Sequence, residues 1–413
     1  MRLLYVHDKF GALGGAEANI LATAEELRRR GWQVGLLHGP RTGKQEAAWE
    51  QVFPATFPLA SPAGAGAGAP RNYSGSPAAV EAGLTAFQPD LVFLHNLADL
   101  SLLEALLRSG LPLVKMVHDH ALYCMRASKY NYLTRRVCAR PASPFCVFPC
   151  GGFLARAQDG PLPVRWVSYA AKAREIKLNR RIRHLVVATQ FMKQELLRNG
   201  FEPERIEVHA PVPRRLGLPA RSSLSSRNLI VYSGQVTRGK GVDVLLQALA
   251  LVREPFECVV FGDGNFRVHC ERLCQKLGLG KRVAFRGFVS PEEIARSYEE
   301  ASIGLMSSVW PEPFGAAGLE AMQYGLPVVA FDAGGIREWL SDGFNGYLVP
   351  WMDRRLYAAR VDALLRDKAL ARALGEAGRQ TVAQFFSFDR YVDGLEGLFR
   401  RAAARPECEV AGL

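Results

Sequence analysis

The sequence predicts an α/β protein made of two doubly wound domains, each with a parallel sheet between layers of helices. Its 413 residues are too many for one ordinary hydrophobic core and suit two domains of roughly 150–200 residues. In both halves, short apolar runs alternate with helical patterns, as expected for buried parallel strands. Each half also opens with a strand, a glycine-rich turn and a helix.

The N-terminal half begins with an apolar strand at 3–6, a turn containing Gly14 and Gly15, and a helix at 18–30. Further apolar runs of strand length follow at 34–37, 91–94, 113–117 and 185–188. The low-complexity run at 61–70 predicts a surface loop. We assign residues 1–212 to an N-terminal Rossmann-like domain with a cysteine-rich and basic insert at 120–183.

The C-terminal half repeats this order after a Pro-, Arg- and Ser-rich segment at 213–227, which predicts the interdomain linker. A strand at 229–233 leads into the turn 234–241 and a helix at 242–252, and more apolar runs follow at 258–261, 283–285, 303–306 and 327–331. We assign 228–385 to a second Rossmann-like domain, and 386–413 to a final helix that crosses back to the N-terminal domain. Two such domains predict a ligand cleft where the carboxyl ends of their strands face each other.

The net charge of +12 is concentrated in one segment. Between Arg126 and Arg183, thirteen basic residues stand with only two acidic ones, which predicts a surface for a partner. The pattern over 164–183 predicts a basic amphipathic helix, with three interpretations. It contacts an anionic membrane face peripherally, it binds an anionic acceptor, or it is a solvated helix face. Nucleic acid is not an expected partner, because no recognised binding motif accompanies the charges.

The expected location is the cytoplasm, including the inner face of the membrane. No apolar run approaches the roughly 20 residues that span a bilayer, and the polar turn after the first strand is unlike a signal peptide. Four of the eight cysteines lie close together in the sequence, at Cys124, Cys138, Cys146 and Cys150. They have three interpretations: a tetrahedral structural zinc site, free thiols, or disulfides, which a cytosolic location disfavours.

The residues around Glu312 form the most specific motif. Pro313, Phe314 and Gly315 form a turn before a helix at 316–323, which exposes the backbone N–H groups of Phe314, Gly315 and Ala316 as an anion site. Glu312 precedes this helix, and Glu320 lies about one turn inside it. The alternative is a capped structural helix in which Glu312 only favours the helix dipole.

In its Glu-Pro-Phe-Gly context and its E-x7-E spacing to Glu320, Glu312 matches a family signature. The sequence here resembles the retaining glycosyltransferases of family 4, in the GT-B superfamily, over nearly the whole chain from Gly14 to the tail helix. The resemblance implies two Rossmann-like domains facing across a cleft. It also implies that Glu312 contacts hydroxyls of the donor sugar, that Glu320 binds the ribose, and that the amides after Phe314 hold the pyrophosphate.

The turn at 233–241 joins glycines to Lys240 at the start of a helix, which suits a departing diphosphate. The family usually has an arginine where this chain has Gln235, and Arg238 is the expected substitute. The alternative is that Arg238 and Lys240 are solvated loop charges. The resemblance further implies that Gly15 closes over the phosphates, or else belongs to a plain helix-entry turn.

Three more positions are assigned by the resemblance. His118, after the strand at 113–117, is expected to contact the transferred sugar, although a lone histidine is more often structural. Gly262 and Phe288 are expected to border the nucleobase, or else to be strand-end turns.

The predicted function is a retaining hexosyltransferase that moves a hexose from a nucleotide-diphosphate sugar to a glycan or lipid-linked acceptor. With no D-x-D motif in the expected context, catalysis is expected to need no metal and no other cofactor. The alternative is a non-catalytic nucleotide-sugar-binding protein, which the missing arginine at Gln235 leaves open.

Overall fold

The computed structural model describes residues 1–11, 14–59, 75–152, 154–156, 164–214, 222–224 and 226–404. The predicted surface loop at 61–70, much of the predicted linker and the end of the tail lie outside these residues. The chain divides into two compact units. Unit 1 comprises Met1–Ala127, Arg140–Arg214 and Phe388–Leu413, and unit 2 comprises Ser128–Ala139 and Arg215–Ser387.

Unit 1 is built on a seven-stranded parallel sheet with the order β3-β2-β1-β4-β5-β8-β9. Its strands are β1 (Arg2–His7), β2 (Gln33–His38), β3 (Ala55–Pro58), β4 (Leu91–Leu94), β5 (Leu113–Val117), β8 (His184–Val187) and β9 (Ile206–Val208). A separate antiparallel pair joins β6 (Leu154–Arg156) to β7 (Val164–Trp166). Both β4 and β5 are buried at every position, as expected for strands covered on two faces.

The helices that follow the first strands cover this sheet. They are α1 (Gly15–Arg29), α2 (Glu46–Val52), α3 (Pro77–Phe87), α4 (Leu100–Arg108), α5 (Val147–Cys150), α6 (Tyr169–Asn179) and α7 (Gln190–Arg198). Side-chain caps fix two of their starts. Asp99 accepts a hydrogen bond from the Ser101 N–H at the start of α4, and Thr189 accepts one from the Met192 N–H at the start of α7.

Unit 2 repeats the plan with six parallel strands in the order β12-β11-β10-β13-β14-β15. The strands are β10 (Leu229–Ser233), β11 (Glu257–Phe261), β12 (Val283–Gly287), β13 (Ile303–Met306), β14 (Val328–Phe331) and β15 (Gly346–Val349). Its helices are α8 (Val242–Leu249), α9 (Arg267–Lys276), α10 (Pro291–Glu300), α11 (Ala316–Gln323), α12 (Arg354–Arg366) and α13 (Lys368–Phe385). The strand order reverses between β10 and β13, the place where doubly wound sheets bind ligands.

The last helix, α14 (Phe388–Ala404), belongs to unit 1. Its apolar face enters the core beside β4, where the Phe399 ring lies 4.9 Å from the Phe93 ring. The hydroxyl of Tyr391 donates to Asn19 Oδ1 on α1 at 3.1 Å. The helix is thus part of the core of unit 1.

The structure differs from two sequence expectations. Ser128–Ala139, which the sequence places in the N-terminal domain, groups with unit 2, where Arg135 pairs with Asp243 at the start of α8. The predicted helix over 164–183 is shorter, because β7 occupies its beginning and α6 spans only Tyr169–Asn179. Among the described residues, no helix has the length and apolar character needed to cross a membrane.

Candidate functional site

The loops that follow β10 and β13 meet at the strand reversal of unit 2. Gly241 has a φ of +67°, and a Cβ added there would lie 2.1 Å from the Ser307 carbonyl oxygen. The Ser307 hydroxyl donates to the Lys240 carbonyl at 2.8 Å, and the Val309 N–H donates to the Gly239 carbonyl at 2.9 Å. This contact between backbones requires a glycine and fixes the position of Lys240.

Lys240 and Glu312 are brought together by this contact. The Lys240 ammonium lies 2.6 Å from Glu312 Oε1 and 5.3 Å from the centre of the Trp310 ring. The Glu312 side chain is only 4% exposed, against 22% for Lys240. Two residues that the sequence placed in one site, 72 positions apart, therefore form a nearly buried ion pair.

The Glu312 carboxylate is held through one of its two oxygens. Oε1 accepts hydrogen bonds from Lys240, from the Ser308 hydroxyl and, at 3.0 Å, from the Trp310 indole. Within the described part of the chain, no hydrogen bond reaches Oε2. Burial alone would raise the pKa of Glu312, but Lys240 and the two neutral donors outweigh it and hold the pKa below its usual value. The group is therefore an anion with one oxygen available to a ligand.

The backbone around Glu312 is fixed from the loop after β14. The Glu312 N–H donates to the Ala333 carbonyl at 3.2 Å, and the Gly335 N–H donates to the Glu312 carbonyl at 2.8 Å. Gly334 has a φ of +66°, and a Cβ there would lie 2.4 Å from the Glu312 carbonyl oxygen. A larger residue at 334 would displace the strand of chain that carries the carboxylate.

Helix α11 begins at Ala316, with Gly315 at its N-cap in the left-handed region at φ +85°. Phe314 is buried, and its carbonyl accepts a hydrogen bond from the Trp339 indole at 2.7 Å. Glu320 lies on α11 and is half-buried beside its buried neighbours Leu319 and Ala321. The first residue of α11 follows Glu312 by four residues, so an anion bound at this helix N-terminus would lie near the ion pair.

The turn after β10 also contacts the loop after β11. A Cβ added at Gly262 would lie 2.0 Å from the Gly234 carbonyl oxygen, and the Gly262 N–H donates to the Gly287 carbonyl at 2.7 Å. Phe288 follows at the end of β12 with 81% of its surface exposed, which leaves its ring available for stacking. Gln235 is exposed, and Arg238 lies two residues before Lys240 in a 3-10 turn.

His118 lies in unit 1, after β5, where it contacts His95 after the neighbouring strand β4. His95 Nδ1 and His118 Nε2 are 2.8 Å apart, and the two rings stack with centres 5.1 Å apart. Desolvation lowers the pKa of His118 to about 3 and that of His95 well below its usual value. Both rings are therefore neutral near pH 7, so one of these two nitrogens donates and the other accepts.

A second polar group of unit 1 surrounds His7, the last residue of β1. His7 is fully buried, and its Nε2 lies 3.6 Å from Glu17 Oε1, while the Lys9 ammonium lies 3.8 Å from the same oxygen. Burial would raise the pKa of Glu17, but the nearby imidazole of His7 and the charge of Lys9 lower it to about 2. Gly15 is the first residue of α1, and a Cβ added there would meet no atom within 4 Å.

The four clustered cysteines are each partly exposed. Across the described ranges, no group of three or more His, Cys, Asp or Glu side chains is arranged to hold a metal ion. As placed, Cys124, Cys138, Cys146 and Cys150 therefore do not form a tetrahedral zinc site, and zinc binding would require them to move together.

Several residues that make the contacts described above lie outside the motifs recognised in the sequence. Ser308 and Trp310 stand four and two residues before Glu312, and their proximity in sequence was an available signal. His95 follows a buried strand just as His118 does, and adjacent strands bring such residues together. Arg135 carried no such signal, because its contact with Asp243 spans 108 residues.

Comparison with known families adds to this geometry. Residues 13–211 match the model described as Glycosyltransferase Family 4, and residues 219–381 match the model described as Glycosyl transferases group 1. The fold and these matches define the class: the chain has the GT-B fold of two Rossmann-like domains and is similar to glycosyltransferases in both halves.

Particular relatives lie within this class. The chain is 27% identical to an uncharacterized glycosyltransferase of Methanocaldococcus jannaschii, over 61% of this chain and 66% of the relative. It is 32% identical to alpha-D-kanosaminyltransferase of Streptomyces kanamyceticus, over 45% of this chain and 49% of that one. It is 33% identical to a D-inositol 3-phosphate glycosyltransferase of Corynebacterium urealyticum, over 47% and 46%. The chain thus spans about half to two thirds of the length of these relatives.

Solved structures share the fold at lower identity. The crystal structure of Anabaena HepE with UDP and glucose has a TM-score of 0.71 at 20% identity, covering 97% of this chain and 100% of that one. Sucrose-phosphate synthase from Thermosynechococcus elongatus has a TM-score of 0.70 at 18% identity, covering 98% of this chain and 100% of that one.

Proposed function

We propose that the protein is a retaining, metal-independent glycosyltransferase that moves a hexose from a nucleotide-diphosphate sugar to a glycan or lipid-linked acceptor. The observation that carries this proposal is the Lys240–Glu312 pair. It presents a cation and an ionised carboxylate oxygen side by side, next to the N-terminus of α11. These groups suit a diphosphate and the hydroxyl groups of a sugar.

Each part of the donor has a proposed partner. Lys240, Arg238, Gly15 and the amides of Phe314, Gly315 and Ala316 bind the pyrophosphate, and Glu320 binds the ribose hydroxyls. Gly262 and Phe288 border the nucleobase, and His118 contacts the transferred sugar. HepE structures were solved with UDP and with UDP-glucose, which supports a nucleotide sugar as the donor class.

The proposed reaction breaks the bond between the anomeric carbon and the phosphate oxygen and forms a bond from that carbon to the acceptor oxygen. Attack from the same face retains the configuration, and the acceptor proton passes to the departing phosphate. Lys240 and Arg238 neutralise the charge that grows on the leaving group, so no metal is required of the protein. Oε2 of Glu312 accepts hydrogen bonds from the donor sugar and fixes its orientation.

The test combines binding and turnover. A panel of nucleoside diphosphates and their sugars is screened by thermal shift, since a ligand that binds the folded protein raises its melting temperature. The matching donor is then assayed for hydrolysis and for transfer. Glu312→Gln is expected to keep nucleoside diphosphate binding and to lose at least a hundredfold in turnover. Glu292→Gln, which changes an exposed carboxylate on α10, serves as the matched control.

The alternative function, a non-catalytic nucleotide-sugar-binding protein, makes a different prediction. It would bind the donor without hydrolysing or transferring it, and Glu312→Gln would change affinity alone. If no nucleotide sugar stabilises the protein, both functions are wrong.

For the acceptor side, we propose a peripheral contact with an anionic membrane at the cytoplasmic face. Support comes from a surface of unit 1 that we call the aromatic surface: Phe145, Phe148 and Trp166, which are 74%, 88% and 79% exposed. Phe145 and Phe148 lie three residues apart in one helical turn over 144–150 and share a face. Such exposed rings beside a segment of charge +11 favour the interface of an anionic bilayer.

Trp166 lies on β7, which pairs with β6 in the same insert. The Gly152 N–H donates to the Cys146 carbonyl at 3.0 Å, and residue 154, two positions on, pairs with Trp166 across β6 and β7. Helix α6 itself is a weaker candidate for the contact, because Ile176, Leu178 and nearby Ile182 are buried in unit 1. We therefore place the proposed membrane contact on the aromatic surface, whose residues precede α6 in the sequence.

Co-sedimentation with vesicles tests this contact. The protein is expected to bind vesicles of phosphatidylglycerol and phosphatidylcholine more tightly than vesicles of phosphatidylcholine alone. Replacing the three aromatic residues with serine should abolish binding, and Phe344→Ser, which alters an exposed ring of unit 2, should not. Equal binding by the triple variant would exclude the aromatic surface as the contact.

A further inference from the structure

The segment Ser128–Ala139 brings a third cationic side chain, that of Arg135, close to the turn that carries Arg238 and Lys240. Nη2 of Arg135 donates to Oδ2 of Asp243, whose side chain is 4% exposed. Asp243 stands on the first turn of α8, three residues after Lys240. The contact is local to unit 2 and places Arg135 beside the proposed phosphate site.

The segment holds Arg135 in a defined turn. The Arg135 N–H donates to the Asn131 carbonyl at 2.8 Å, and the Cys138 N–H donates to the Lys129 carbonyl at 2.7 Å. Tyr130 and Val137 form an antiparallel bridge between the two ends of the turn. Arg135 itself has a φ of +57°, a conformation that a non-glycine residue keeps only when its surroundings impose it.

Three buried polar atoms at this place make no hydrogen bond within the described residues. They are Tyr130 Oη, Arg238 Nε and Asp243 Oδ1. Burial raises the pKa of Tyr130, and the positive charges of Arg135 and Arg238 both act on its hydroxyl against that rise. Buried polar groups are normally paired, so unpaired atoms on three neighbouring residues indicate a place that receives a polar ligand.

The carboxylate of Asp243 would be a competing partner for Arg238. Arg135 already occupies this carboxylate, and Arg238 forms no ion pair with an acidic side chain in the ranges that the structure describes. A guanidinium without an acidic partner keeps its full charge and all its donors for an anion. Whether Arg238 has an acidic partner thus depends on Arg135.

We propose that Arg135 is a positioning residue for the donor: it occupies Asp243 and so leaves Arg238 free to bind the diphosphate. The proposal rests on the proposed function, because it assumes that the turn at 234–241 binds a nucleoside diphosphate. Tyr130 donates to the same phosphate through its hydroxyl. Gln235 stands where the family usually has an arginine. In this chain, the segment 128–139 instead leaves Arg238 available for the diphosphate.

The competition between Arg135 and Arg238 gives a rescue test. Without Arg135, Asp243 captures Arg238 and phosphate binding weakens. When Asp243 is also made neutral, Arg238 is released and binding returns. A purely structural role for the Arg135–Asp243 pair predicts the opposite, since removing both partners would not restore affinity.

The experiment is isothermal titration of the full chain with UDP, GDP and ADP, and with uridine, guanosine and adenosine as probes without phosphate. Arg135→Ala is expected to bind the preferred diphosphate about tenfold more weakly, with its nucleoside affinity unchanged. Arg135→Ala with Asp243→Asn should return to within about threefold of the unchanged protein. Asp243→Asn alone should bind at least as tightly, and Arg135→Lys should keep most of the affinity.

Three results separate the outcomes. If the double variant binds no better than Arg135→Ala, or if Asp243→Asn binds more weakly, the positioning role is wrong. If Arg135→Ala does not fold, Asp243→Asn and Arg135→Lys still decide the question. If no nucleoside diphosphate binds the unchanged protein, the proposed function fails, and the role of Arg135 fails with it.

Discussion

Replacing Lys240 with methionine removes the charge that faces the buried carboxylate of Glu312 and keeps most of the side-chain length. The ammonium lies 2.6 Å from Glu312 Oε1, and the carboxylate is almost fully buried. Removing one partner of a buried ion pair costs roughly 3–5 kcal/mol. In this protein 22% of the Lys240 side chain is exposed, and Ser308 and Trp310 still donate to the carboxylate in the variant. We therefore expect the free energy of unfolding of unit 2 to fall by about 2–3 kcal/mol.

The loss should depend on pH. In the unchanged protein the pKa of Glu312 is lowered from 4.5, so its stabilising contribution is present above that pH and is lost as the pH falls through the folded pKa. Without Lys240, burial raises the pKa of Glu312 above that value. The folded variant is then destabilised at pH 8, where the carboxylate is charged. Its free energy of unfolding recovers as the pH falls and the carboxylate takes up a proton. The stability difference should therefore shrink between pH 8 and pH 5.

Urea unfolding followed by tryptophan fluorescence measures this difference, since Trp310 donates to the same carboxylate. Lys240→Met, Glu312→Gln and the double variant complete a double-mutant cycle, which isolates the coupling between the two side chains. A coupling energy below about 0.5 kcal/mol, the value of an exposed pair, would refute the account of a buried charge pair. A stability difference equal at pH 8 and pH 5 would refute it as well.

Three further changes test other contacts. Gly241→Ala places a methyl group 2.1 Å from a carbonyl oxygen at φ +67° and should cost more than about 2 kcal/mol in urea unfolding. Gly278→Ala is the matched control at φ +70° with open space around it, and it should cost about 1 kcal/mol. His95→Phe removes the hydrogen bond to the neighbouring imidazole and should slow transfer about tenfold with little change in donor affinity. Gln235→Arg, made in an Arg238→Ala background, should restore about tenfold in diphosphate affinity measured by titration calorimetry.

Contrary results would be equally informative. Equal losses at Gly241 and Gly278 would contradict the close backbone approach. An unchanged transfer rate in His95→Phe would make the imidazole pair structural. Failure of Gln235→Arg to restore affinity would mean that position 235 does not reach the phosphates.

The fold was predictable because local signals and global architecture agree. The apolar runs at 91–94, 229–233 and 303–306 become the buried strands β4, β10 and β13 at the same positions. Helix α11 spans Ala316–Gln323, where helix-forming residues stand between a glycine turn and Gly325. Such segments are long enough, and regular enough, for pattern alone to define them.

Contacts between distant segments were less predictable. The amphipathic pattern over 164–183 predicted one exposed helix, but Leu178 and Ile182 are used inside unit 1, and the exposed apolar rings precede the helix. The position of 128–139 depends on the Arg135–Asp243 contact, which no local pattern contains. The sequence predicted that Lys240 and Glu312 belong to one site, but it did not predict their ion pair. That the Glu312 carboxylate accepts these three hydrogen bonds through Oε1 was visible only in the structure.

The place of α14 has a consequence for synthesis on the ribosome. The core that contains Tyr5 and Phe93 is completed by residues of α14, which are translated about 300 residues after Phe93: Val392, Leu395, Leu398 and Phe399. Until those residues emerge, the sheet of unit 1 carries an uncovered apolar face, whereas unit 2 has by then been translated in full through Ser387. The nascent N-terminal half therefore exposes apolar surface until α14 has been translated. Such surface promotes aggregation and is what chaperones bind.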